Sequence, residues 1–164
     1  LPLRHCGGKD EPVVLRHEFS FEMPHSAARI WALFQDYDRW TDYAPMVEKV
    51  DVLWPGDDHH NGRLRRVYFK LPGDQTGTAL ELVHDVEPER GYTYKMISRD
   101  GNDQLGHIHL EPLGPNRTRF SFDEEAEMDP AIYEFINKYN EDSMRAASQY
   151  LTEHPEYRSD LIDN

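Results

Sequence analysis

His17 is the one polar side chain on an otherwise apolar strand face. Val13, Leu15, Phe19, Phe21 and Met23 alternate with Arg16, Glu18, Ser20 and Glu22, and His17 takes the apolar parity. Period-two alternation marks a half-buried strand, so the imidazole is expected to point inward. Glu124 is placed alike, sharing parity with Phe120, Phe122 and Ala126. A carboxylate beside an imidazole raises the imidazole's proton affinity and fixes its tautomer, as a general base requires. The plainer reading is a buried polar pair that satisfies itself, or a Glu124 turned outward at a strand end.

Other groups carry weaker chemical signals. His107 and His109 alternate onto one face, as a two-histidine metal site needs, but Ile108 and Leu110 make the more natural inner face. Asp57-Asp58-His59-His60 is adjacent rather than spaced and sits in a turn. The acidic run Asp123, Glu124, Glu125, Glu127 and Asp129 reads as a strand end facing solvent. No Gly-rich phosphate loop, GxSxG elbow or HExxH helix is present. Neither a metal nor a cofactor is expected. The aromatic residues Trp31, Phe34, Trp40, Tyr43, Tyr68, Tyr92, Tyr94, Phe135 and Tyr139 could fill a core or wall a cavity. Tyr139 and Ser143, one helical turn apart, are candidate hydroxyls for a ligand.

Composition narrows the partners. The chain has 164 residues, 38% of them hydrophobic, with 7 Phe, 9 Tyr and 3 Trp, enough for one packed domain. Lys plus Arg is 18 against 31 Asp plus Glu, a formal net charge of −13. That field repels a phosphate backbone and an anionic membrane surface, so no nucleic acid and no stable membrane insertion are expected. The single cysteine, Cys6, excludes an internal disulfide and a thiolate zinc cluster, and suits a reducing, cytoplasmic setting.

The elements that must position these groups follow from periodicity and turn chemistry. A strand over 13–23 ends at Pro24-His25-Ser26, and Ser26 caps a short helix over 27–34. Asp36 starts a second short helical turn carrying Tyr37 and Trp40. Six strands follow, over 47–54, 63–71, 78–86, 92–98, 105–113 and 118–126, separated by turns rich in Pro, Gly, Asp and Asn. This is an antiparallel meander rather than a βαβ repeat. Asp129-Pro130 then opens a helix of roughly 22–25 residues. Its apolar stripe is read as Ile132, Phe135, Ile136, Tyr139, Ser143, Ala146, Ala147, Tyr150 and Leu151, and Pro155 stops it.

With that order the chain resembles the START-like superfamily, also called SRPBCC or Bet v 1-like, and within it the polyketide cyclase/dehydratase-like branch. The likeness is carried by Ser26-Ala27-Ala28-Arg29-Ile30-Trp31-Ala32-Leu33-Phe34, by Asp36-Tyr37-Asp38-Arg39-Trp40 with Pro45, and by Leu110-Glu111-Pro112-Leu113-Gly114-Pro115-Asn116-Arg117-Thr118-Arg119-Phe120. It implies an α+β helix-grip fold, in which a curved antiparallel sheet of seven strands wraps a long C-terminal helix, with two short helices after the first strand. The domain would span 13–154, between a flexible N-terminal arm over 1–12 and a polar C-terminal tail over 155–164. The resemblance also implies that the first and last strands pair, which would bring His17 beside Glu124.

Such folds enclose a cavity for apolar small molecules, and the resemblance brings no shared catalytic set with it. The expected function is binding of a lipid, polyketide or aromatic metabolite between sheet and helix, by a monomer or homodimer. Candidate ligand contacts are Trp31, Phe34, Trp40, Tyr43, Tyr68, Tyr94, Phe120, Phe122, Phe135, Tyr139 and Ser143. The alternatives are a cyclase/dehydratase-type enzyme with His17 and Glu124 as catalytic residues, and a protein-interaction module of co-chaperone or antitoxin-like kind.

Overall fold

A computed structural model describes residues 13–98 and 103–162 of the chain. The expected arm over 1–12 lies outside the described residues. Strand β1 (Val14–Met23) is followed by α1 (Ala27–Gln35), a 3₁₀ turn at Tyr37–Arg39 and α2 (Trp40–Tyr43). Strands β2 (Val47–Trp54), β3 (Arg63–Leu71), β4 (Gln75–Glu87), β5 (Gly91–Ser98), β6 (Asp103–Gly114) and β7 (Arg117–Glu127) lead to the long helix α3 (Pro130–Glu153). The seven strands form one antiparallel sheet in the order β1-β7-β6-β5-β4-β3-β2, so β1 and β7 pair as expected. Register shifts interrupt β2–β3, β4–β5 and β6–β7, and such irregularities let a sheet bend around a helix.

The local causes lie in the sequence. Ser26 accepts from the Arg29 amide and starts α1, and Asp129 accepts from the Ala131 and Ile132 amides at the head of α3. Pro72, Gly73 and Asp74 make the β3–β4 turn, with positive φ at Gly73 and Asp74. Strand β4 therefore begins at Gln75, three residues before the expected start at 78. Gly91 has φ +151, and a Cβ there would sit 2.1 Å from the Ile108 carbonyl oxygen. Only glycine allows β5 to leave its turn so close to β6.

The core lies between the concave sheet face and the helices. Met23, Ile30, Leu33, Leu110, Phe120 and Leu151 are fully buried there. The buried stripe of α3 is Tyr133, Ser143, Ala147 and Leu151. The first turn of α3 thus differs from the expected stripe, since Ile132 and Phe135 are exposed and Tyr133 turns inward. The Tyr133 hydroxyl donates to the Glu124 carbonyl on β7, which fixes the rotation of that turn.

The segment after Pro155 packs back onto α1. Arg29 donates to the carbonyls of Leu151, His154 and Tyr157, and the Tyr157 hydroxyl donates to Asp36. A guanidinium at a helix C-terminus satisfies carbonyls the helix cannot. Among the described residues, no helix is long and apolar enough to cross a membrane.

Candidate functional site

A cavity of about 100 Å3 lies between the concave sheet and α3. Phe34 and Trp40, Tyr43 and Ala44 close one side, and Tyr139, Asn140, Ser143 and Met144 of α3 form the roof. Strands β2 to β7 supply the floor, chiefly Val67, Phe69, Tyr92, Tyr94, Met96, Ile108 and Phe122. Two charged side chains, Arg65 and Glu81, break this apolar surface.

Arg65 and Glu81 face each other across β3 and β4, and the Arg65 Nε donates to the Glu81 carboxylate. Their side chains are 2% and 6% exposed. The guanidinium also lies 4.7 Å from the Trp40 ring centre and 5.2 Å from that of Tyr37, whose hydroxyl meets its Nη1 at 3.2 Å. Burial pulls the Arg65 proton affinity down, but the charge of Glu81, with Tyr92 and Tyr37, outweighs it and the net shift is upward. Arg65 therefore stays a cation inside an apolar chamber, held by one carboxylate and aromatic faces.

Two register rows further along, Tyr94, Gly106, Glu124 and His17 lie side by side on β5, β6, β7 and β1. The Tyr94 hydroxyl reaches across β6 and donates to Glu124 Oε2 at 2.8 Å. Gly106 permits this, for a Cβ there would sit 2.3 Å from the Tyr94 ring. Glu124 is 1% exposed, and its Oε1 has no hydrogen-bond partner. Burial lifts its pKa to about 7; the Tyr94 hydrogen bond opposes the rise and the Glu81 charge adds to it. Burial, followed by the Glu124 charge, pushes the Tyr94 hydroxyl well above its ordinary value.

The expected residues fall into three groups. Phe34, Trp40, Tyr43, Tyr94, Phe122, Tyr139 and Ser143 line the cavity together. Four others do not. Trp31 packs edge-on against Tyr92, and Phe120 is locked among Phe19, Phe21 and Phe34. Tyr68 lies on the outer sheet face under the Lys49 ammonium. Phe135 is exposed because Tyr133 holds the inward position of its turn. His17 and Glu124 are opposite in register, yet the carboxylate bonds Tyr94, and the buried His17 Nε2 has no partner.

His107 and His109 face outward, with Ile108 and Leu110 buried, as alternation implied. The His107 ring instead meets the Thr93 hydroxyl at 2.8 Å.

Glu81, and with it Arg65, escaped the sequence reading because the outer face of β4 carries Leu80 and Leu82. A usable signal existed. The turn pairs Leu71 with Gln75, and counting outward from it sets Arg65 opposite Glu81. Opposite charges equidistant from a tight turn are cross-strand neighbours.

A curved antiparallel sheet closed over a long C-terminal helix, with a small cavity between them, defines the helix-grip fold of the Bet v 1-like and START-like proteins. Residues 15–156 match the family described as polyketide cyclase / dehydrase and lipid transport, and the chain belongs to that family. Among solved structures it is similar to the Zhui aromatase/cyclase from Streptomyces sp. R1128, with a TM-score of 0.72, 14% identity, and 87% of this chain and 96% of that chain covered. It is similar to a START superfamily protein from Mycobacterium smegmatis, with a TM-score of 0.71, 16% identity, and 84% and 97% covered. It is likewise similar to Ara h 8.0201, with a TM-score of 0.71, 10% identity, and 86% and 99% covered. At these identities the likeness is one of fold. No curated protein sequence matches the chain.

Proposed function

We propose that the protein binds a ring-containing apolar small molecule, of the aromatic or polyketide kind, between the sheet and α3. The Arg65–Glu81 pair would orient the ligand's oxygen. The observation that carries this reading is the pair itself, buried on the wall of an otherwise apolar cavity. A buried ion pair adds little net stability compared with apolar residues of the same size. Its charge-assisted donors instead give an apolar ligand a fixed orientation. At about 100 Å3 the cavity suits a single ring, below the roughly 300–1,000 Å3 of drug-sized pockets. A longer ligand needs the flexible Met96 and Met144 to move aside.

The test is an NMR titration with phenol. Binding should shift resonances of cavity residues, and Ser143→Leu, which fills the chamber, should abolish it. No binding, or equal binding by the filled variant, overturns the reading.

A second reading has a specific observation behind it. The register sets His17 opposite Glu124, and each has a buried polar atom without a partner. In a cyclase or dehydratase, the proton lost from carbon as a ring closes or water leaves would reach that pair from the cavity by way of the Tyr94 hydroxyl, which bonds Glu124. His17→Ala with unchanged turnover of a polyketide thioester substrate would remove the assignment.

A further inference from the structure

The Tyr94–Glu124 hydrogen bond has one end on the cavity wall and the other in the closed interior. Tyr94 lines the cavity, whereas Glu124 lies beyond it across β6. Two arrangements of protons fit this geometry. With Glu124 ionised, the Tyr94 hydroxyl donates to Oε2, as observed, and its oxygen can only accept from a ligand. With Glu124 neutral, the acid proton has one good place. On Oε1 it would meet no acceptor, because that oxygen has no partner. On Oε2 it can be donated to the Tyr94 oxygen, which leaves the phenolic proton free to turn toward the cavity.

We propose that Glu124 sets the ligand preference of the cavity through Tyr94: protonated, it makes Tyr94 a donor suited to a ligand carbonyl, and ionised, it makes Tyr94 an acceptor suited to a ligand hydroxyl. The proposal rests on the cavity being a ligand site and adds the chemical class it selects. Burial alone favours the neutral acid, since an ionised carboxylate with an unpartnered oxygen is poorly solvated. The balance falls near neutrality, at a pKa of about 7.

The groups around Glu124 are Tyr94 on β5, His17 opposite on β1, Glu81 on β4 and Tyr133 on α3. Glu81 is occupied by Arg65, and the Tyr133 hydroxyl bonds the Glu124 carbonyl rather than its carboxyl. His17 is the remaining neighbour opposite Glu124 in register, so the test must separate it from Glu124.

The experiment uses cyclohexanone, which can only accept, and cyclohexanol, which can do either. Binding to the full chain is read by NMR titration at about pH 6.0 and about pH 8.5. If only the protonated form binds the ketone, its Kd rises about 30-fold across that interval for a group titrating near 7. The alcohol changes by less than about 3-fold. Glu124→Gln, which cannot ionise and whose NH2 can donate to the Tyr94 oxygen, should bind the ketone alike at both pH values. Tyr94→Phe should bind it weakly and without pH dependence, while the Glu124 carboxyl still titrates. A ketone affinity that ignores pH, or a 30-fold change that survives in Glu124→Gln, overturns the proposal and leaves the ligand site standing. Failure of both probes to bind at either pH overturns the ligand site and the proposal with it.

Discussion

Removing one partner of the Arg65–Glu81 pair should cost far more than removing both. The two side chains are 2% and 6% exposed, so solvent screens neither. Arg65→Met leaves the Glu81 carboxylate in an apolar chamber, and Glu81→Leu leaves a guanidinium there. Each loss should destabilise the fold by about 3–5 kcal/mol, the range for an uncompensated buried charge. The double variant Arg65→Met/Glu81→Leu has no stranded charge. It forfeits the Tyr37 hydrogen bond, about 1 kcal/mol, and the aromatic contacts of the guanidinium, about 1–2 kcal/mol. It regains the desolvation of two ions, about 1–4 kcal/mol. The double variant should therefore lie within about 2 kcal/mol of the wild type. The coupling energy would then exceed about 3 kcal/mol.

Urea unfolding followed by tryptophan fluorescence gives each stability, provided the slope m is unchanged among the four proteins. Additive losses, or single losses below about 1 kcal/mol, would show that water reaches the pair, and the argument from burial would collapse. The same double variant carries the functional half of the test. A protein that folds as well as the wild type but no longer binds phenol would show that the charges serve the ligand rather than the fold.

Three further outcomes follow from the same geometry. Because the Glu124 carboxyl is raised from 4.5 to about 7 in the fold, its contribution to stability is full below pH 4.5 and is lost as pH rises through 7. Glu124→Gln lacks this dependence, so urea unfolding should show the variant gaining on the wild type by up to about 3 kcal/mol between pH 4.5 and pH 8; a constant difference would refute it. Gly106→Ala would place a Cβ 2.3 Å from the Tyr94 ring, so Tyr94 must leave Glu124. A loss of about 1–3 kcal/mol is expected from such overpacking, together with a change in the pH dependence above. Asp129→Ala removes the acceptor for the Ala131 and Ile132 amides, and thermal or urea unfolding should register about 1 kcal/mol.

Periodicity and turn chemistry made most of the fold legible. Alternation over 13–23, the Pro-Gly-Asp turn and the Asp129-Pro130 helix start each have a local cause, so local sequence reveals them. The site was less legible because it depends on register and rotation. In β4 the larger apolar residues Leu80 and Leu82 face out while Glu81 faces in, so hydrophobicity pointed the wrong way. In α3 both Ile132 and Tyr133 could have led the stripe, and a hydrogen bond to β7 decides for Tyr133. The expected His17–Glu124 neighbourhood exists in register, but Gly106 opens a path by which Tyr94 reaches the carboxylate. A glycine read on its own says nothing of which side chain will cross it.

The charges inside the chamber constrain what can enter it. Arg65 and Glu81 cancel, so a neutral Glu124 leaves these three side chains without net charge. Ionising Glu124 puts an excess negative charge where little water screens it, and the Glu81 carboxylate on β4 opposes the change. A preformed anion would meet the same opposition, would compete with Glu81 for Arg65, and would approach a protein of formal charge −13. A neutral ligand escapes all three costs. If negative charge develops on its oxygen after binding, Arg65 can stabilise it, and the protein can offset it by keeping Glu124 protonated. On the proposed reading, the interior would favour a ligand that arrives neutral and polarises in place, which describes a ketone or phenol better than a carboxylate or phosphate.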